Sequence, residues 1–408
     1  MQHTRRLAAV VGSVAVGVGL LALPPARATQ TGQVTEFDAG IAPDSGIADM
    51  VPGRHGVVWF AQFYGDKIGR ITQTGRMREF DTGAGSGPRG TVLGPDGNLW
   101  FTNANDDSIG RLTPRGRVTT FRRGMTSGAE PQFITTGTDG NLWFSEIGVS
   151  RIGRISPSGR ITEFSRGLDQ APMFLTPGPD DAVWFTQPSG GSVGRISATG
   201  RVRTFDLPTG IAPWEIVMGR DGNLWFTAVS GEQIGRMTPK GRVTLFTRGI
   251  TADALGLAAG PDGRLWFTQP TADQVGRISI RGKVREFSRG ISPDAEPHGI
   301  TAGPGGVMWF GELAGNRMAR ITTGAASPDH RFQVHTSRKA GRLATSVTVP
   351  GQGWVSSFGG RCSTATMAMH AGTVRLVCRG RRLPARQLVT FTPTGGTPRA
   401  VTISAGRG

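Results

Sequence analysis

A Trp-Phe pair recurs seven times along this chain of 408 residues, and its spacing constrains the fold more than any other feature. Successive tryptophans lie 41, 43, 41, 41, 41 and 43 residues apart. They are Trp59, Trp100, Trp143, Trp184, Trp225, Trp266 and Trp309. A Gly-rich turn precedes most of them, and an Ile-Gly-Arg-like segment follows. A repeat of about 40 residues with four short strands has the length of one propeller blade. The spacing therefore predicts an all-β, seven-bladed β-propeller over residues 29–324.

The two ends of the repeat region predict how the ring closes. The seventh repeat stops after Arg320-Ile321-Thr322 and has no fourth strand of its own. A spare copy of that strand, residues 33–37, stands at the start of the repeat region. We therefore expect the N-terminal strand to complete the last blade, which would remove the open sheet edges of a broken ring.

Residues 1–28 have the form of a secretory signal peptide. Arg5 and Arg6 precede an apolar run, and Ala26-Arg27-Ala28 is a small-x-small cleavage site. The paired arginines leave both Sec and twin-arginine export open. We expect a secreted, extracellular or periplasmic protein, with association to the cell surface as one option.

Residues 325–408 differ sharply in charge from the repeats and mark a second domain. They hold twelve Lys/Arg and one acid, Asp329, whereas residues 29–324 carry only about +3. Alternating β-branched and polar residues predict a basic, β-rich module. Its two cysteines, Cys362 and Cys378, are expected to form a disulfide in an oxidising compartment. The arginines near residues 379–382 either bind an anionic cell-wall polymer or membrane surface, or form a solvated face.

Positions that vary while the repeat frame is constant are candidates for a site at the channel mouth. One position at the start of each inner strand forms a first ring: Ser45, Arg89, Gln132, Met173, Trp214, Leu255 and His298. A second ring lies three residues after each tryptophan: Gln62, Asn103, Glu146, Gln187, Ala228, Gln269 and Glu312. Trp214 and Arg89 could stack on or hold a ligand, or simply line the channel. The near-neutral repeat region gives no groove for nucleic acid.

The seventh repeat concentrates ionisable groups. Glu296, His298 and Glu312 fall within a short hairpin, where paired strands would bring them near one another. Two carboxylates with open positions suit Mg²⁺, and an imidazole suits a general base. A one-residue change in register would place Glu312 on the other face. The alternative is a surface Glu/His cluster without function.

The blade text GPDGNLWFTN…SIGRLTPRGRVTTF and the later AEPHGI…MWFGE resemble the virginiamycin B (streptogramin B) lyase family over residues 32–323. Members of that family open a cyclic depsipeptide antibiotic by Mg²⁺-dependent elimination at the ester. The resemblance implies that His298 matches the general base and that Glu296 and Glu312 match the Mg²⁺ ligands. It also shows a departure, because Leu255 stands where the family has a substrate-contacting histidine.

Two classes of function follow from these observations. The first is a secreted lyase-like propeller that acts on a small molecule such as a cyclic peptide ester. The second is a non-catalytic extracellular propeller that binds a ligand or the cell wall, and the change to Leu255 favours it. A lactone hydrolase is a third reading that differs from the first only in its product. We expect a monomer in each case.

Overall fold

The computed structural model describes residues 30–229, 231–339, 342–359, 362–379 and 383–404. The predicted signal peptide, residues 1–28, lies outside these ranges, as do residues 380–382 of the basic segment. The described chain is almost entirely β-structure, with two short 3₁₀ turns at Arg54–Gly56 and Pro270–Ala272. No helix in the described part of the chain is long and apolar enough to cross a membrane.

Seven four-stranded antiparallel sheets form between Val34 and Thr322, one for each Trp-Phe repeat. Strands are numbered β1–β35 in chain order. The first three sheets contain β2 (Ile47–Pro52), β3 (Val57–Gln62), β4 (Lys67–Thr72) and β5 (Met77–Asp81); β6 (Pro88–Leu93), β7 (Leu99–Asn103), β8 (Ser108–Leu112) and β9 (Val118–Phe121); β10 (Pro131–Thr136), β11 (Leu142–Glu146), β12 (Arg151–Ile155) and β13 (Ile161–Phe164). The next three contain β14 (Leu175–Pro177), β15 (Val183–Gln187), β16 (Ser192–Ile196) and β17 (Val202–Asp206); β18 (Pro213–Met218), β19 (Leu224–Ala228), β20 (Gln233–Met237) and β21 (Val243–Phe246); β22 (Leu257–Ala259), β23 (Leu265–Gln269), β24 (Gln274–Ile278) and β25 (Val284–Phe287). The seventh contains β26 (Pro297–Gly303), β27 (Val307–Glu312), β28 (Arg317–Thr322) and β1 (Val34–Phe37).

The predicted closure by the N-terminal strand is confirmed. β1 pairs antiparallel with β28, so that Val34 lies opposite Ile321 and Phe37 opposite Met318. Phe37 stacks on Trp309 with ring centroids 5.3 Å apart. Trp143 and Phe164 stack at the same distance inside the third sheet. The first strand therefore supplies the aromatic partner that the seventh repeat lacks.

The repeated residues hold neighbouring sheets together. Trp143 is buried, and its indole N–H donates to Asp139 in the turn before it, at 3.0 Å. Arg154 lies over the Trp143 ring and donates to the carbonyl of Ala198 in the next sheet, at 2.8 Å. Arg320 makes the corresponding contact from the seventh sheet to the Gln73 carbonyl in the first. The arginines of five repeats make such a bond to the next sheet and so bridge blades: Arg111, Arg154, Arg236, Arg277 and Arg320.

The C-terminal residues form a separate, smaller β unit, which confirms the prediction of a β-rich C-terminal domain. A three-stranded sheet contains β29 (Gln333–Lys339), β30 (Arg342–Val349) and β33 (Gly372–Arg379). A four-stranded sheet contains β31 (Gly353–Gly359), β32 (Cys362–Ala368), β34 (Arg386–Pro393) and β35 (Arg399–Ser404). The predicted disulfide joins Cys362 to Cys378 and so links the two sheets.

The C-terminal unit covers one end of the propeller. Ser363 donates to the Gly140 carbonyl at 2.6 Å, and the backbone N–H of Ala365 donates to the Thr138 carbonyl at 3.1 Å. Both carbonyls belong to the turn at the far end of an inner strand. Because the candidate residues lie where the inner strands begin, the C-terminal unit lies opposite the candidate mouth. A cavity at that covered end is lined by residues of both units, among them Trp354 and Met367.

Candidate functional site

The channel mouth is built from the starts of the inner strands, and five of the seven inner strands, β2, β6, β10, β18 and β26, contain an irregularity there. In the seventh sheet Pro297 pairs with Glu312, but the next aligned pair is Ile300 with Phe310, so the register shifts between them. The same shift occurs between Pro213 and Ile216 in the fifth sheet. An extra residue in one strand bends it and re-aims its side chains. As a result, two consecutive residues of such a strand reach the channel.

Four predicted residues meet in one cavity at this mouth. Arg89, Trp214, Leu255 and His298 all line it, although they come from four different sheets. Gln132 and Met173 line an adjoining cavity that also contacts Arg89.

The prediction of Ser45 for the first ring is wrong, because the inner strand pairs from Ile47 opposite Gln62. Ala48 therefore holds the equivalent position and lines the mouth. Ser45 is buried instead against Asn316, whose side-chain oxygen accepts its hydroxyl at 2.7 Å. Ala48 lies eleven residues before Trp59, the spacing that the other six ring residues have from their tryptophans.

A deeper layer of mouth residues, one position after the first ring, was not predicted from the sequence. Asp49, Phe133, Phe174 and Glu215 occupy it and line the cavity. The other three sheets have glycine there, at Gly90, Gly256 and Gly299. Strict alternation of strand side chains predicts that this layer points away from the channel. In the strands of Asp49, Phe133 and Glu215 the register shift brings it inward. The exchange of glycine for acidic and aromatic residues was the signal that could have revealed it.

His298 is held in the neutral form that a base requires. Burial is the larger cause that lowers the pKa of His298, and the positive charge of Arg89 lowers it further. Its backbone carbonyl accepts the Thr268 hydroxyl at 2.5 Å, which ties the start of β26 to the sixth sheet. A neutral imidazole at the channel mouth can accept a proton near pH 7.

Glu296 has a different setting from its neighbour His298. It is exposed and has a left-handed backbone, with φ near 50°. Its backbone N–H donates to Asp273 at 3.0 Å, and its carbonyl accepts the Leu313 N–H at 3.0 Å. These contacts fix the loop that leads into β26, while the carboxylate remains at the rim.

Glu312 is buried inside the seventh sheet and is not among the residues that line the His298 cavity. Its Oε2 accepts the Nε–H of Arg317 at 2.9 Å. Burial and the nearby carboxylate of Glu36 raise the pKa of Glu312 to about 7, although Arg317 opposes the shift. The strand register is now known: Glu312 lies opposite Pro297. Pro297 is the residue that stands between Glu296 and His298 in the sequence.

The surroundings of Glu312 recur in other sheets, which indicates a structural role. In the first sheet the equivalent residue is Gln62, whose amide donates to Glu79 at 2.8 Å while Lys67 pairs with the same Glu79 at 2.9 Å. In the third sheet Glu146 is buried near Glu163, which pairs with Arg151 at 2.6 Å. Burial and Glu163 raise the pKa of Glu146 to about 8. Neither of these two sheets contributes a histidine to the mouth.

The proposed Mg²⁺ ligands do not fit a metal site as they are placed. The Glu312 carboxylate is hydrogen-bonded to Arg317, whereas Glu296 lies at the exposed rim. Within the described ranges no group of three or more His, Cys, Asp or Glu side chains could hold a metal ion. Binding of Mg²⁺ therefore stays a prediction.

Comparison with known proteins agrees with this architecture. The virginiamycin B lyase family model matches residues 25–165 and 122–356. A streptogramin B lyase structure is 32% identical, with a TM-score of 0.67, over 72% of this chain and 98% of that one. A catalytically inactive histidine-to-alanine variant of virginiamycin B lyase from Staphylococcus aureus, with quinupristin, is 30% identical (TM-score 0.66; 71% and 99% covered).

More distant matches share the fold alone. Hydrazine synthase from Kuenenia stuttgartiensis is 15% identical, with a TM-score of 0.59, over 71% of this chain and 98% of that one. No curated protein matches the chain. Because the family model spans most of the sequence and a 32% identical lyase structure covers 72% of this chain, the chain belongs to the virginiamycin B lyase family.

Proposed function

We propose that this protein opens a cyclic ester by elimination, with His298 as the general base. The observation that carries the proposal is that the His298 imidazole lines the channel mouth together with the Arg89 guanidinium, which has no ion-pair partner among the described residues. Membership of a lyase family supports the reaction class. The solved complex of an inactive histidine variant with quinupristin supports a role for a histidine in that family.

The chemistry requires two complementary groups. His298 would take the proton α to a carbonyl. The electron pair of the broken C–H bond would then form a carbon–carbon double bond. The bond between the β-carbon and the ester oxygen would then break and release a carboxylate. Negative charge develops on oxygen during this step, so a fixed positive charge stabilises the transition state. Arg89 lines the same cavity and is the cation placed to do this.

A direct test uses quinupristin as the substrate and mass spectrometry as the readout. Elimination leaves the mass of the linear product unchanged, whereas hydrolysis adds one water. Loss of a general base lowers a rate by about 10²–10⁴-fold, so we expect His298→Ala to lose at least a hundredfold in turnover. His370→Ala, at an exposed position in the C-terminal unit, is the matched control and should turn over normally. Full activity of His298→Ala would refute the assignment.

A second candidate is a ligand-binding propeller without catalysis. The hydrogen bond from Arg317 to Glu312 favours this candidate, since the carboxylate that was matched to a metal ligand already has a positively charged partner. Leu255 in the mouth favours it too. Tight binding of quinupristin with no change in its mass spectrum, with and without added Mg²⁺, would select this candidate.

We further propose that the protein is exported and that its C-terminal unit associates with an anionic surface. The signal-like residues 1–28 and the arginine-rich composition of residues 325–408 support this. N-terminal sequencing of secreted material should begin at Thr29. Co-sedimentation with isolated cell walls at low and high salt would test the surface contact, because electrostatic binding weakens as salt rises.

A further inference from the structure

The floor of the channel mouth combines two acidic side chains with an aromatic wall. Asp49 and Glu215 line the mouth cavity and also line the cavity at the covered end, so they stand between the two. They come from the first and fifth sheets. Phe133, Phe174 and Trp214 form the wall beside them.

The aromatic wall is continuous. Phe133 and Phe174 stack with ring centroids 3.6 Å apart, and Phe174 lies 5.7 Å from Trp214 in a tilted arrangement. The faces and edges of these rings surround one side of the cavity. Aromatic faces attract organic cations, and the attraction strengthens where water is excluded.

The two carboxylates are held in place by the backbone of neighbouring sheets. Asp49 accepts the Thr91 N–H at 2.7 Å and its hydroxyl at 3.1 Å. Glu215 accepts the Leu257 N–H at 2.9 Å. Neither acid belongs to an ion pair among the described residues. A carboxylate taken from water without a cation is costly. Burial raises the pKa of Asp49 to about 6, and burial together with the nearby Asp49 raises the pKa of Glu215 well above its ordinary value. A bound cation would therefore stabilise the ionised form of both acids.

Arg89 and His298, from the second and seventh sheets, line the same cavity as Asp49 and Glu215, from the first and fifth. A ligand with a positive group would be repelled by Arg89 and would place that group toward the acids and the aromatic wall. A ligand oxygen would face Arg89 and His298.

We propose that the floor of the mouth, formed by Asp49 and Glu215 with Phe133, Phe174 and Trp214, binds an organic ammonium group of the ligand. The proposal does not depend on catalysis, because it concerns binding at the deeper layer of the mouth and not at His298. Three other sheets place glycine in this layer, so the acidic and aromatic side chains are a departure from the chain's own repeat. A hydrophobic floor would satisfy packing equally well without burying two carboxyl groups.

The test compares two probes of the same shape by calorimetric titration. Choline carries the ammonium charge, and 3,3-dimethylbutan-1-ol is its neutral analogue. We expect choline to bind at least tenfold more tightly than the alcohol. The double variant Asp49→Asn, Glu215→Gln keeps a side-chain oxygen at each position to accept the backbone N–H groups of Thr91 and Leu257, and it should lose that preference. Glu130→Gln, an exposed acid in the adjoining cavity, is the control for net charge and should retain it.

Each outcome decides the question. Equal affinity for the two probes, no binding of choline, or unchanged choline binding in the double variant would overturn the proposal. His298→Ala protein should bind choline as the native protein does. Loss of turnover in that variant with intact choline binding would therefore separate the catalytic proposal from this one.

Discussion

Replacing Glu312 by glutamine separates a structural role from a metal-binding role. Glu312 is fully buried, and burial together with Glu36 raises its pKa to about 7 from an ordinary value of 4.5. The folded protein thus holds a proton here that the unfolded chain gives up more readily. The resulting stability is complete below pH 4.5 and is lost as the pH rises through 7.

The magnitude follows from the size of this shift. One pKa unit corresponds to about 1.4 kcal/mol, so ionising Glu312 lowers the free energy of unfolding by up to about 3 kcal/mol at pH 8. Glutamine does not ionise, so it carries no such free-energy cost. Gln62 shows that an amide fits the equivalent position, where it donates to Glu79 at 2.8 Å. We therefore expect Glu312→Gln to be about 1–3 kcal/mol more stable than the native protein at pH 8 and equal to it at pH 4.5.

Urea unfolding at the two pH values measures this difference, because other titrating groups cancel between variant and native protein. Glu146→Gln is the matched control in the third sheet, where the pKa is raised to about 8. It should gain at least as much stability at pH 8. A Glu312→Gln protein that is destabilised by more than about 1 kcal/mol at pH 8 would contradict the reasoning.

Turnover of quinupristin by the same two variants then tests the predicted metal role. If Glu312 only packs the seventh sheet, both variants should remain active. Selective loss of activity and of Mg²⁺ dependence in Glu312→Gln, with normal activity in Glu146→Gln, would restore Glu312 as a ligand.

Three further predictions concern the scaffold. Deleting residues 30–37 removes the partners of β28 and the ring that stacks on Trp309; we expect a loss of at least about 3 kcal/mol by urea unfolding, and an unchanged midpoint would argue against ring closure by this strand. Gly153→Ala places a methyl group 2.1 Å from a buried phenylalanine ring and should cost about 1–3 kcal/mol, whereas Gly351→Ala, with nothing within 4 Å, should be neutral; equal melting temperatures would refute this. Replacing both Cys362 and Cys378 by serine should lower the stability of the C-terminal unit by about 3 kcal/mol, with no change in turnover at the opposite end of the propeller.

The sequence alone determined the architecture of this protein. Seven evenly spaced tryptophans predicted seven sheets, and the spare strand ending at Phe37 predicted how the last one is completed. These features are local and repeated, so each unit can be recognised without knowledge of the others. The same reasoning placed Arg89, Trp214, Leu255 and His298 near one mouth, because equivalent positions of a ring converge on its axis.

Only the tertiary structure decided which side chains face that axis. The register shift at the start of the inner strands turned Asp49 and Glu215 into the channel. Because Glu312 pairs with Pro297, its carboxylate contacts Arg317 and does not line the cavity of His298. Orientation depends on where one strand gains a residue relative to its partner, and on which neighbouring charge lies within reach. Neither is encoded in the composition or spacing of a single repeat.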